Sequence, residues 1–387
     1  MTKSVRKKRI LVLLTDAFGG HGGIALYNRD LLSALCARAD CAEVVAIPRL
    51  MPRDPEPMPE RLTYVTAGID SKLKYLAAVL KAARGGRFDL IVCGHINLLP
   101  IAHLLRACLR VPLILGIYGI DAWQPTGSPL INRLARKIDA FFSISDLTGQ
   151  RFLAWSGVSP EKGSLLPNAI HAEKYGPGPK DQELLDRYKL KGKTVLMTLG
   201  RLDAQERYKG FDEIMAILPD LAGEFPDIAY LIVGDGSDRG RLEQKAMDLG
   251  LGCRVVFAGY VAEREKAAHY RLADLYVMPS RGEGFGFVFL EAMACGVPVI
   301  GSKLDGSREA LLDGELGLLV DPDNPAELIA AVLTAFKTGK RGVPEGLDHF
   351  SFTNFARKLD AIIDPLFAPA TVGRHGEEKS GSGMRGA

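Results

Sequence analysis

No stretch of the 387 residues approaches the roughly 18 to 20 uninterrupted apolar positions that a membrane-spanning helix needs. The first apolar run, Ile10 to Leu14, is also too short for a signal peptide and ends at Asp16, so it reads as a first buried strand. An excess of one charge is missing too: 49 Lys and Arg stand against 46 Asp and Glu, a formal net charge of +3. Nucleic acid binding, which needs a dense basic face, is therefore not expected, and any anionic partner must be met by a local site. Cysteines are few and scattered. The six of them form no Cys-x-x-Cys pair and no zinc-like spacing, and read as reduced residues of a cytoplasmic protein. A repeat of short fixed period is absent as well, and the length excludes a small stapled scaffold in favour of two or three domains.

What is present is an alternation of short Val, Ile and Leu runs with longer amphipathic stretches, the pattern of parallel sheets covered by helices on both faces. In the first half the strands are expected at Ile10–Leu14, Glu43–Ile47, Leu90–Cys93, Leu113–Ile117 and Ala140–Ile144. In the second half they are expected at Val195–Leu199, Ala229–Val233, Arg254–Ala258, Leu275–Met278, Pro298–Gly301 and Gly317–Val320. The turn-rich segment Ala172–Lys180 between the series suits a linker. The fold class is thus α/β, two doubly wound Rossmann-like domains facing across a cleft, over residues 1–173 and 181–345. Residues 371–387 are rich in Gly, Ser and charge, without apolar periodicity, and are expected to be disordered.

In doubly wound sheets ligands sit beyond the carboxyl ends of the strands, and four such places carry signals. After Leu14 comes Gly19-Gly20-His21-Gly22-Gly23 and then a helical pattern. Glycines before a helix N-terminus make a cradle for phosphate or sugar, or a plain glycine-rich turn. Gly234-Asp235-Gly236 after another strand offers the same two readings, with the tight turn preferred, and its spacing does not fit the dinucleotide fingerprint. Arg201 and Lys209 follow the first strand of the second half, one planar and one point-like cation suited to a diphosphate, while Arg207 reads as a solvated charge. The densest signal is Glu283-Gly284-Phe285-Gly286-Phe287 with Glu291 eight residues after Glu283, a glycine loop running into a short helix that starts near Gly286. Both carboxylates can then face one cleft.

This last segment, with its continuation to Ala294-Cys295-Gly296-Val297-Pro298, resembles the family 4 retaining glycosyltransferases, which have the GT-B fold and a Glu-x7-Glu signature. Further matches are the early glycine loop, Ser143–Ser145, Pro167–Ile170, Gly200-Arg201 with Lys209-Gly210, Val233–Gly236, and Asp305-Gly306 to Glu309, so that the likeness runs from about residue 10 to 330. The resemblance implies that Arg201 and Lys209 hold the donor diphosphate and Glu291 the ribose. It implies that Glu283, with backbone N–H groups of Gly284 to Phe287, faces the donor sugar and distal phosphate, and that Gly20, Gly22, Gly23 and Gly234 also line the donor site. A C-terminal helix at 353–367 would return to the first domain. One position departs from the family: Tyr118 stands where a histidine over the reacting sugar is usual, in Tyr118-Gly119-Ile120-Asp121-Ala122-Trp123. A phenol is a poor base at neutral pH, so His95 is a candidate to compensate, or an ordinary strand-end histidine, and Asp121 a candidate polar contact.

Asp321-Pro322-Asp323 has the form of a metal-binding Asp-x-Asp in other folds, but its place before a helix suits an N-cap, and no metal or other cofactor is expected. The function so implied is metal-independent, retaining transfer of a sugar from a nucleoside-diphosphate sugar to the hydroxyl of a saccharide or lipid-linked acceptor, in cell-surface polysaccharide or glycolipid synthesis. The alternative is a catalytically silent nucleotide-sugar-binding subunit; an NAD-linked oxidoreductase is undercut by the missing fingerprint. The basic lead-in Lys3, Arg6, Lys7, Lys8, Arg9 suits either solvation or peripheral contact with anionic lipid at the inner face of a membrane. Oligomeric state carries no signal.

Overall fold

A computed structural model of the chain describes residues 6–69, 71–339 and 342–367. The tail 371–387 and Lys3 lie outside the described residues. The first half forms a sheet of seven parallel strands, β1 (Lys8–Leu14), β2 (Cys41–Pro48), β3 (Leu62–Tyr64), β4 (Leu90–Cys93), β5 (Leu113–Ile117), β6 (Ala140–Ser143) and β7 (Gly163–Leu165). The second half forms a sheet of six, β8 (Thr194–Leu199), β9 (Ile228–Val233), β10 (Val255–Gly259), β11 (Leu275–Val277), β12 (Val299–Ser302) and β13 (Leu318–Val320). All eleven strands expected from sequence occur, each end within two residues. The two that sequence patterning misses, β3 and β7, are three-residue edge strands, only partly buried, and their sequences Leu62-Thr63-Tyr64 and Gly163-Ser164-Leu165 hold no apolar run to mark them.

Strand order is β3-β2-β1-β4-β5-β6-β7 in the first sheet and β10-β9-β8-β11-β12-β13 in the second. The order therefore reverses between β1 and β4, and again between β8 and β11, and the loops leaving those strands splay to opposite sides, opening a crevice at each reversal. The central strands read as unbroken apolar runs because helices cover both of their faces: Ile10 to Leu14 and Leu90 to Cys93 are all buried. One apolar cluster lies under the outer helices of the first half and another under those of the second. A third cluster is continuous across both halves, joining Tyr27 and Phe142 of the first to Tyr270 and Phe289 of the second.

The helix Phe352–Phe367 returns to the first sheet and packs beside the helix Gly23–Ala37, with the rings of Tyr27 and Phe355 5.5 Å apart. Arg38 fixes the return by ion pairs to Asp360 and, at 2.7 Å, Asp364. At the crossing, Ile170 N–H donates to Phe350 O at 2.7 Å. The basic lead-in is largely consumed within the domain, Arg6 on Asp89, Arg9 on Glu43 and the Lys8 ammonium 4.9 Å from the centre of the Phe367 ring. Among the described residues no helix is long and apolar enough to cross a membrane.

Candidate functional site

The loops leaving β8 and β11, the strands at the second reversal, meet at Lys209. Its helical turn, Arg207–Lys209, ends at Gly210, whose φ of 85° and whose close approach to Pro279 both demand glycine. The Lys209 ammonium lies 3.7 Å from Glu283 and 3.6 Å from Glu206, with its side chain 14% exposed. Burial pulls its pKa down, but the two carboxylates outweigh burial and the net displacement is upward, so the cation persists. Arg201, on the loop from β8, is ion-paired to the same Glu206. Arg207 is a solvated charge, 55% exposed, that also pairs with Asp238 at 3.1 Å.

Glu283 is held by backbone. Its N–H donates to Asp305 Oδ2 at 2.8 Å and its carbonyl accepts from Gly306 N–H at 2.9 Å. Asp305, 2% exposed, also accepts from the Ser280 and Ser307 hydroxyls. Burial raises its carboxyl and these hydrogen bonds oppose the rise. Gly286 then caps the helix Phe287–Ala294 at φ 98°, so that the N–H groups beginning the helix follow directly on this loop. Opposite them, a Cβ on Gly23 would lie only 3.7 Å from the Phe287 ring, so the early glycine loop and the Phe287 loop face one another across the two halves.

The two halves touch where β5 ends. A Cβ on Gly284 would stand 2.8 Å from Tyr118 O and 3.4 Å from Gly119 Cα, and one on Gly306 would stand 2.1 Å from Gly284 O. Three glycines thus let three backbones stack. Asp121 lies beside this contact. Its Oδ1 accepts from Tyr118 N–H at 3.3 Å, while its Oδ2 is buried without a hydrogen-bond partner, and burial pushes the carboxyl up to about 7.

Glu291 sits deeper. It is 2% exposed, and its oxygens accept from Lys266 at 3.2 Å and the Tyr270 hydroxyl at 2.7 Å. Burial of Lys266 is again outweighed by its carboxylate neighbours, Glu291 first, and its pKa is raised. Burial raises the Tyr276 hydroxyl of β11 well above its usual range, and the charges of Glu283 and Glu291 add to the rise.

Two sequence expectations are corrected. Tyr118 does not present its hydroxyl to the cleft: the ring is 7% exposed, lies edge-on to Tyr27, and its O–H donates to Asn28 Oδ1 at 2.9 Å. Phe285 is core, 1% exposed and packed against Phe350, because the loop turns its ring away from the cleft. Gly234 forms the tight turn preferred on its sequence: a Cβ there would fall 1.8 Å from Gly200 O, and its N–H donates to Gly259 O at 2.9 Å. Gly20 N–H likewise closes a turn onto Ala17 O, leaving Gly22 and Gly23 as the open part of that loop. His95 caps a turn by accepting from Asn97 N–H, and burial lowers its pKa, keeping the ring neutral. Asn324 is the N-cap expected at the Asp321-Pro322-Asp323 segment, and Asp323 is paired with Arg281. Among the described residues no group of three or more His, Cys, Asp and Glu side chains is arranged to hold a metal. Sequence patterning missed Glu206, Lys266 and Tyr270, which carry no motif and acquire their place only by folding.

Two family models match, one described as "Glycosyl transferases group 1" over residues 193–338 and one as "Glycosyl transferase 4-like domain" over residues 22–169. A GDP-mannose-dependent alpha-(1-6)-phosphatidylinositol monomannoside mannosyltransferase of Mycolicibacterium smegmatis is 32% identical over 241 residues, 60% of this chain and 62% of that protein. A phosphatidyl-myo-inositol mannosyltransferase of the same organism is 41% identical over 169 residues, 43% of this chain and 41% of that protein. The matched segments thus span less than two thirds of these relatives. Among solved structures, sucrose-phosphate synthase from Thermosynechococcus elongatus superposes with a TM-score of 0.74 at 22% identity, covering 93% of this chain and 99% of that one. HepE from Anabaena, solved in complex with UDP, gives a TM-score of 0.73 at 21% identity, covering 92% and 100%. The likeness to these structures is one of fold, two Rossmann-like domains of the GT-B type.

Proposed function

The chain belongs to the group 1 glycosyl transferases, and on that premise we propose that it moves a sugar from a nucleoside-diphosphate sugar to an acceptor hydroxyl, with retention at the anomeric carbon and without a metal ion. The observation that carries the reading is the convergence of Arg201 and Lys209 with the Glu283 loop at the reversal between β8 and β11, opposite Gly22 and Gly23. The hard step is departure of the diphosphate from a carbon that becomes oxocarbenium-like. Arg201, Lys209 and the first N–H groups of the helix Phe287–Ala294 would stabilise the charge growing on the leaving group. The acceptor oxygen would bond to the anomeric carbon from the side the diphosphate leaves, and the acceptor proton would pass to the departing phosphate oxygen. Glu283 would meet the donor sugar, and Glu291 the ribose, for which Lys266 or Tyr270 must share an oxygen of the carboxylate.

The relatives' mannosyl transfer to phosphatidylinositol lipids makes GDP-mannose and an inositol glycolipid the first donor and acceptor to assay, with UDP-glucose, which HepE also binds in a solved structure, as the second donor. A lipid-linked acceptor would bring the protein to the inner face of a membrane. The test is transfer of label from each donor into lipid extract, with and without a metal chelator, followed by NMR of the new linkage. Transfer that survives the chelator and gives the donor's anomeric configuration supports the reading. Lys209→Ala is expected to lower turnover by a factor on the order of 10² to 10³, and near-normal turnover in that variant refutes the assignment.

A further inference from the structure

The two cations assigned to the donor diphosphate are both already engaged by one carboxylate. Arg201 pairs with Glu206, and the Lys209 ammonium stands 3.6 Å from the same carboxylate and 3.7 Å from Glu283. Two cations and two carboxylates leave this part of the cleft without net charge, in a place where a diphosphate needs positive potential. Glu206 is not a casual surface partner, for its side chain is 19% exposed against 66% for Arg201. It is also held in place by a built turn: Glu206 N–H donates to Asp203 O at 2.9 Å, Gln205 N–H to Asp203 Oδ1 at 2.9 Å, and Ala204 N–H to Ser237 Oγ at 3.0 Å. The third cation of the segment, Arg207, is drawn off to Asp238, so among the described residues the cations paired with Glu206 are the two on the phosphate side.

We propose that Glu206 is a built-in competitor of the diphosphate, an internal anion that occupies Arg201 and Lys209 in the empty site and is exchanged for the phosphates when the donor binds. The proposal rests on the reading of Arg201 and Lys209 as the diphosphate site. Its consequence is chemical. An anion that replaces another anion on the same cations gains less than one that finds them free, so Glu206 weakens the hold on the diphosphate product and hastens its release. In the empty enzyme it also keeps two like charges side by side in the geometry the phosphates require. A residue that merely braced the cations, and stayed with them when the ligand arrived, would act in the opposite direction.

Inorganic pyrophosphate, which has neither base nor sugar, reads this site alone. Its dissociation constant is measured by calorimetry for the full chain and for Glu206→Gln, Glu206→Asp and Lys209→Ala, each checked for an unchanged melting profile. Gln keeps the size and an acceptor oxygen for Arg201 but removes the charge. The expected result is pyrophosphate binding about tenfold tighter in Glu206→Gln, little changed in Glu206→Asp, and much weaker in Lys209→Ala. Equal or weaker binding in Glu206→Gln, with Lys209→Ala still weakened, overturns the competitor role and leaves the diphosphate site standing. Binding insensitive to Lys209→Ala, or absent from both the unaltered chain and Glu206→Gln, overturns both.

Discussion

The carboxylate of Glu309, in the second half, accepts from the backbone N–H of Leu147, in the first, at 2.9 Å, and its other oxygen accepts from Asp146 N–H at 2.5 Å. These are orphan donors of the first turn of the helix Asp146–Ser156, whose positive end a carboxylate stabilises. Ser145 serves the same turn from within the chain, accepting from Thr148 N–H at 3.1 Å. One helix end is thus capped from both sides of the cleft, and the two halves are joined by charge as well as by the Gly119 and Gly284 contact.

Replacing Glu309 by Ala removes the cap supplied across the cleft. Loss of a capping side chain costs about 0.5 to 2 kcal/mol. The expected outcome is a denaturation midpoint lowered by that amount and a larger radius of gyration in small-angle scattering, as the halves part. An unchanged radius would show that the backbone contact alone sets their approach.

Lys266→Met leaves the Glu291 carboxylate, 2% exposed, with only the neutral hydroxyls of Tyr270 and Tyr175 beside it among the described residues. Breaking one partner of a buried pair destabilises by roughly 3 to 5 kcal/mol, whereas removing both charges is far milder. Urea unfolding of Lys266→Met should therefore show a large loss, and the double variant Lys266→Met with Glu291→Gln should recover much of it. If the double variant is as unstable as the sum of the singles, the two residues are not coupled.

Tyr118→Phe tests the corrected placement of that side chain. It leaves Asn28 Oδ1 without the 2.9 Å hydrogen bond, a loss of about 1 kcal/mol in stability. Turnover is expected to stay within about twofold of the unaltered chain, because the hydroxyl is turned from the cleft. A drop of tenfold or more in kcat with unchanged stability would return the hydroxyl to the reaction.

Asp121 gives a pH signature. Burial raises its carboxyl to about 7, far above an unfolded aspartate near 3.9, so the native chain binds a proton that the unfolded chain releases. The stability this contributes is fully present below about pH 4 and is lost as pH rises toward and through about 7. Asp121→Asn stays uncharged across that window and keeps an oxygen to accept from Tyr118 N–H. Its stability should fall less between pH 4 and 7, and it should exceed the unaltered chain at pH 8. Parallel stability profiles for the two proteins would contradict the assignment.

Gly306→Ala places a methyl where Gly284 O stands, 2.1 Å from the ideal position. Relief of such overpacking typically costs 1 to 3 kcal/mol, and here it must move the loop that Asp305 and Gly306 hold against Glu283. Lower stability together with a fall in kcat is expected from kinetics and melting. Lower stability with intact kcat would mean that the loop absorbs the shift without moving Glu283.

The sequence determined what depends on neighbours along the chain. Apolar runs marked eleven of the thirteen strands, short β11 and β13 included, and glycine-bearing strand ends followed by helices marked where ligands meet the sheets. The spacing of Glu283 and Glu291 was legible because a loop and one short helix carry both. Tertiary structure decided everything that depends on which side chain faces which across the fold. The pattern Tyr118-Gly119-Ile120-Asp121 does not say that the ring turns inward to Asn28, ninety residues earlier, because a strand end offers either direction and packing against Tyr27 selects one. It does not say that Phe285 faces Phe350 while Phe287 faces the cleft. Nor do Glu206, Lys266 or Glu309 announce themselves, since a carboxylate or an ammonium has no local preference for its partner. Folding brings each within a few ångströms of an opposite charge or a helix end, and it is the low-dielectric surroundings there, absent from the extended chain, that make the pairing count.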